Sequence, residues 1–171
     1  LAKHPETKMK RKLFTGVAYF EQTAGRTAES KAAFDRALAL IDKEIAEVPG
    51  AKEKGALTLE KSRAIHLMGD PDAAEKLCAA YMAENPLGEM APAFFQEMVG
   101  IRVGRGNLDG ALQLAEETQA KFADQPLGEM AKEAAAQIRR QKDQLAQEAA
   151  RAAAATTGTV AGAASTSPTA R

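Results

Sequence analysis

Pro86-Leu87-Gly88-Glu89-Met90 and Pro126-Leu127-Gly128-Glu129-Met130 are one pentapeptide written twice, 40 residues apart. A fixed period of about 20 to 50 residues marks stacked supersecondary units, each burying its apolar face against its neighbours. The spacing of proline and methionine carries the repeat further back. Pro5 precedes Met9 by four residues, as Pro86 precedes Met90 and Pro126 precedes Met130, and Pro49 fills the gap between the first two. The proline intervals are then 44, 37 and 40 residues, which suits two helices and two turns per unit, with proline stopping the second helix. The chain opens inside a unit: Leu1 to His4 read as the last turn of a helix whose earlier part is missing, and there is no initiator Met, as in a fragment or processed form.

Composition favours helix. Of 171 residues 45% are hydrophobic, enough for a sizeable core, but only 5% are aromatic and none is Trp. Ala, Leu, Met and Ile pack helices closely and supply little of the β-branched and aromatic surface that sheets prefer. Acidic and basic residues balance at 23 each, so no global field draws in nucleic acid or an anionic membrane. The local run Lys8, Lys10, Arg11, Lys12 reads as a solvated helix face, since no aromatic platform is interleaved with it. Cys78 is alone, which excludes an intramolecular disulfide and suits a small buried side chain. No run approaches the roughly 20 apolar residues of a membrane span, and the start lacks a secretory signature.

Seven helices follow from the apolar spacing. The first, about 8–23, carries Leu13, Phe14, Val17, Ala18 and Phe20 on its inner stripe and ends at Ala24-Gly25. Thr27 caps the second, which runs to Val48 and turns Ala33, Phe34, Ala37, Leu38, Ile41 and Ile45 inward. The third, about 52–68, ends at Gly69; Asp70 then caps the fourth, Pro71 to Glu84, with Pro71 in its first position. The fifth, Gly88 to Val103, is the most apolar and central. Asn107 caps the sixth, with Leu108, Ala111, Leu112, Ala115, Thr118 and Phe122 facing inward before Pro126 closes the unit. The seventh, from about Gly128, keeps only a thin stripe of Met130, Ala134, Ile138 and Leu145, the polar exterior that a terminal repeat needs. Beyond Ala155 small polar residues take over, and 156–171 read as a disordered tail or linker.

The segments Gly69-Asp70-Pro71-Asp72-Ala73-Ala74 and Gly106-Asn107-Leu108-Asp109-Gly110-Ala111 resemble the tetratricopeptide repeat, in which a Gly-Asn/Asp turn leads to a helix bearing an obligatory small residue. Ala74 and Ala111 take that place, Pro86 and Pro126 close units, and Gly25, Phe34 and Ala37 match the pattern one unit earlier. Thr58 departs from it, standing where an aromatic is usual. The resemblance implies an all-α, right-handed α-solenoid over 1–155, with helix pairs at about 8–49, 52–86 and 88–126 and a capping helix at 128–155. It further implies a groove lined by the first helix of each unit that binds an extended or helical segment of another protein. Lys12, Thr15 and Tyr19 in the first unit and Leu59, Arg63 and His66 in the second are the groove candidates. The Asn residues with which some members grip a C-terminal carboxylate are absent. The phrase KFADQPLGEMA is also similar to divergent repeats of bacterial envelope proteins, which raises a second expectation, a helical accessory region of a larger envelope enzyme such as a thioredoxin-like protein, in the periplasm rather than the cytoplasm.

Chemistry is sparse. Gly104-Arg105-Gly106-Asn107-Leu108-Asp109-Gly110 has its third glycine one place late for a dinucleotide loop and follows a helix instead of a strand. His4 and His66 are the only histidines and no second Cys is present, which argues against a metal site. Adjacent carboxylates such as Glu116 and Glu117 diverge by about 100° on a helix. We therefore expect a non-catalytic protein-interaction scaffold with no cofactor, no nucleic-acid partner and no membrane insertion.

Overall fold

A computed structural model describes residues 5–161, with side chains from 8 to 154. Among them all regular structure is helical: α1 (Pro5–Thr23), α2 (Thr27–Glu47), α3 (Ala51–Leu67), α4 (Pro71–Glu84), α5 (Ala91–Gly104), α6 (Leu108–Lys121) and α7 (Pro126–Ala161). The last turn expected at Leu1 to His4 lies outside the described residues. So does 162–171, the end of the expected tail; α7 itself runs past Ala155 to Ala161. The chain divides into two compact units, Leu1–Asn107 with α1 to α5 and Leu108–Arg171 with α6 and α7. That division falls between the two helices of the expected third repeat.

Three glycines set the turns. Gly25, Gly69 and Gly106 have φ of 76°, 92° and 73°, the left-handed conformation that costs a side-chain-bearing residue energy and glycine almost none. Each stops its helix with the same pair of backbone bonds. The N–H of Gly25, Gly69 and Gly106 donates to the carbonyl of Gln22, His66 and Val103, and the N–H of Arg26, Asp70 and Asn107 reaches back to Glu21, Ile65 and Arg102. The next helix starts at once. Asp70 Oδ1 accepts from Ala73 N at 3.0 Å, as its sequence position suggests. Thr27 is not the cap of α2: that position falls to Arg26, whose side chain makes no capping bond and instead pairs with Glu21 and lies over the Phe20 ring.

Five residues beyond each turn glycine stands a small buried residue: Ser30, Ala74 and Ala111. Ser30 and Ala74 sit against the other helix of their pair, where Ser30 Oγ meets the Ala18 carbonyl and the Ala74 carbonyl meets Ser62 Oγ, and Phe34 and Cys78, one turn on, are buried beside them. In the first unit Ala18, Ala33, Phe34 and Ala64 pack together, with Leu38 and Met68 against them. Further along, Phe94, Phe95 and Ile101 of α5 are fully buried, and the Phe94 ring stacks on Tyr81 at 4.0 Å. The second unit buries Leu127, Ala131, Ala135 and Ile138 of α7. This stripe is offset from the expected one: Met130 and Ala134 are half-buried and Leu145 is exposed.

The inner stripe of α1 needs a larger correction. Leu13, Val17 and Phe20 are exposed, and the buried residues are Ala18 and, against the expectation of a solvated basic run, Arg11. The Arg11 guanidinium lies between α2 and α3, giving Nε and Nη2 to Glu60 at 3.1 and 2.9 Å and Nη1 to Glu44. Burial works against its charge, but the hydrogen bonds from Glu60 and Glu44 outweigh it, so its pKa is raised.

The duplicated pentapeptide folds in two ways. In both copies the glycine N–H donates three residues back, Gly88 to Asn85 at 3.0 Å and Gly128 to Gln125 at 2.9 Å. Residues 86–90 then form turns and α5 begins only at Ala91, whereas Pro126 is already the first residue of α7. The deciding residue is the seventh. A helix started at Pro86 would carry Pro92 in its interior, where the ring clashes with the carbonyl four residues back; starting at Ala91 places Pro92 in the first turn, where no N–H is needed. The second copy has Lys132 there and no such restraint.

Two predictions follow from this packing. A Cβ at Gly128 would stand 2.0 Å from the Phe122 carbonyl oxygen, so Gly128→Ala loses stability by about 1–3 kcal/mol in urea titration although alanine is the better helix former. Removing the cation in Arg11→Met leaves Glu44 and Glu60 facing each other. The two carboxylates keep 21% and 32% exposure, so the loss falls between the values for surface and buried pairs, at about 2 kcal/mol.

Candidate interaction surface

Within the first unit, the first helices of successive pairs are bridged by charge. Arg11 of α1 joins Glu60 of α3, and Arg63 of α3 joins Glu97 of α5 with Nε to Oε2 at 2.9 Å. A second series runs from each first helix to the preceding second helix. Lys61 pairs with Asp42, and Arg102 gives Nε to Glu75 at 2.7 Å. Arg105 pairs with Asp72, and in the second unit Lys142 pairs with Asp109, both members displaced by 37 residues. Exposed pairs of this kind contribute roughly 0–1 kcal/mol, so they fix alignment more than stability.

The six groove candidates divide. Lys12 and Tyr19 are exposed on α1. Thr15 is half-buried and its hydroxyl donates to the Arg11 carbonyl at 3.0 Å, which leaves it little capacity for a partner. Leu59 belongs to the interior at 5% exposure and offers no surface, because α3 is buried on two sides, with Leu57 and Ala64 on one and Leu59, Gly55 and Ser62 on the other. Arg63 is exposed and His66 partly so; both face Glu97, with His66 Nδ1 4.0 Å from Oε1. Glu97 was not singled out by sequence, although its spacing from Arg63 matches one repeat.

Of the buried side-chain oxygens and nitrogens described, Glu44 Oε1 is left without a hydrogen-bond partner. Ser30 Oγ donates to the Ala18 carbonyl at 2.9 Å. Ser62 Oγ lies 3.1 Å from the Ala74 carbonyl and 3.0 Å from Cys78 Sγ. Since the carbonyl only accepts and serine has one proton, the thiol donates to Ser62 and Ser62 to Ala74. Burial pushes the Cys78 thiol up to about 11, so it stays protonated and unreactive at neutral pH. A recess of about 480 Å³ beside α6 and the start of α7 is bordered by Glu116, Glu129 and Lys132, whose charges already pair with Arg139 or with each other. No three His, Cys, Asp or Glu side chains converge among the described residues, and no described helix is long and apolar enough to cross a membrane.

No protein-family model matches the sequence, and no curated protein does. Solved structures do. A Podosopora anserina protein, described as a kinesin light chain with nearly identical TPR-like repeats, aligns at 21% identity over 92% of this chain and 79% of its own, with a TM-score of 0.51. A single-residue variant of it aligns at 20% identity with the same coverage and TM-score. The fold is that of TPR-like repeats. Within that fold a glycine of positive φ followed five residues on by a small buried residue recurs at Gly25 and Ser30, Gly69 and Ala74, and Gly106 and Ala111. Ser30 was missed because serine there breaks the alanine pattern; counting five residues from Gly25 finds it.

Leu59 and Arg63, one turn apart on the same TPR-like helix but buried and exposed respectively, give a direct check. Leu59→Ala leaves a cavity and costs about 2–5 kcal/mol in denaturant titration, while Arg63→Ala costs under about 1 kcal/mol.

Proposed function

We propose that this chain is a non-catalytic protein-interaction scaffold that holds an extended or helical segment of another protein on the face made by the first helices of its repeats. Repeat folds of this kind offer extended surfaces to which each unit adds a few side chains. The observation that carries the reading is the juxtaposition of α1, α3 and α5 by Arg11–Glu60 and Arg63–Glu97, which leaves Lys12, Tyr19, Arg63 and His66 presented outward from a braced framework. Tyr and Arg are the residue types that most often dominate binding, since each brings a large contact area together with a directional polar group. The Glu97 carboxylate already pairs with Arg63 and faces His66, so it orients these two side chains within the patch.

The test uses a partner obtained by affinity capture from the native source. Tyr19→Ala combined with Arg63→Glu is expected to weaken binding in titration calorimetry by at least about tenfold, equivalent to about 1.4 kcal/mol, with the melting curve nearly unchanged. Lys43→Glu, on the exposed side of α2, changes neither. Undiminished binding by the double variant moves the site off this face.

A further inference from the structure

Of the eight large apolar or aromatic side chains left exposed among the described residues, five lie on α1, which makes this helix the chain's main uncovered apolar surface. Met9, Leu13, Val17 and Phe20 are 74%, 61%, 40% and 62% exposed. At 100° per residue they fall within an arc of about 80°, opposite Arg11 and Ala18, and extend for about 16 Å along the helix. They are therefore one continuous stripe on the side of α1 turned away from the unit's own core.

Gly16 lies at the edge of the same stripe. A Cβ there would meet nothing within 4 Å, and its φ is not in the left-handed region, so nothing within the described chain requires glycine. In a helix interior glycine is less stable than alanine, so the notch has a cost that internal packing does not explain. A notch in a ridge admits the backbone of another helix, as small residues do wherever helices cross closely. Lys10 borders one edge of the stripe and Lys12 the other, with Lys8 about 40° beyond Lys12, all exposed and none in an ion pair among the described residues.

We infer that this face of α1 docks an acidic amphipathic helix from a partner protein, whose apolar ridge seats on Met9, Leu13, Val17 and Phe20, crosses at Gly16 and carries Asp or Glu opposite the three lysines. A rigid ridge uses the Gly16 notch; a lipid surface gains nothing from it and would be served better by a larger apolar residue. A second copy of the chain would set lysines against lysines along the N-terminal half of the stripe. The site rests on the interaction-scaffold reading but uses side chains other than Tyr19 and Arg63, so the two fail separately.

Two synthetic helical peptides of about 18 residues, identical in their apolar positions and flanked by Glu in one and Lys in the other, are titrated calorimetrically into the full chain. The Glu peptide is expected to bind at least about tenfold more tightly, a preference that shrinks as salt is raised. Leu13→Glu and Gly16→Leu each weaken it by at least about tenfold without lowering the melting temperature, and the Tyr19→Ala, Arg63→Glu double variant keeps it. The inference is overturned by failure of the Glu peptide to bind, by equal binding of the Lys peptide, or by full binding of Gly16→Leu. It is overturned equally by Leu13-dependent sedimentation with phosphatidylserine vesicles in place of peptide binding, or by a Leu13-dependent dimer in sedimentation velocity.

Discussion

How closely two helices of a pair can approach governs everything else in this molecule. Helix axes lie about 8–10 Å apart, the value depending on the side chains at the contact, and in the pairs α1–α2 and α3–α4 Ser30 and Ala74 stand at that contact. Each comes five residues after a glycine that has stopped the preceding helix, so the turn and the point of contact are set together. With the backbones near each other, small and medium side chains suffice for the interior, and the chain folds with 5% aromatic residues and no Trp. Where Ser30 and Ser62 enter the contact, their hydroxyls give their protons to carbonyls of the opposite helix and bring no unpaired polar group inside.

The helices and their turns were legible because their signals are local. A glycine that must adopt positive φ, an Asp before Pro71 and apolar residues three or four apart each act over a few residues, and the structure places α4 as the sequence implies. What the sequence concealed was which neighbour each helix has. Leu13, Val17 and Phe20 form a good stripe for burial, yet α1 turns its opposite side to α2 and α3, where Arg11 meets two carboxylates contributed by residues 44 and 60. No pattern within α1 encodes that long-range pairing. Leu59 erred the other way: a count from the turns set it on the surface, but α3 is buried on two sides, and Leu59 lies with Gly55 and Ser62 on the second.

Charge in this chain is largely spent on alignment. Helix after helix, a cation on a first helix meets a carboxylate on the helix before it, and most of these pairs are exposed enough to be weak singly. Repetition gives them their effect, since a slip of one helix along its neighbour would break several at once. Arg11 is the buried member of the set and the one held by two partners. Against that accounting the exposed lysines of α1 stand out as cations with no ion pair among the described residues, which is why the inference on α1 begins there.

Two identical pentapeptides with different backbones also bear on how such repeats can be cut and joined. Leu87 is 66% exposed in its turn and Leu127 only 5% in its helix, and the difference is imposed from Pro92, outside the shared residues. A graft that moved one pentapeptide into the other's place would exchange nothing, and the sixth residue is alanine in both, whereas one carrying the seventh residue along would convert a loop into the first turn of a rod, or the reverse. The smallest interchangeable module of this protein is therefore the seven-residue phrase, and a joint placed between its sixth and seventh residues would yield chimaeras whose helix lengths belong to neither parent.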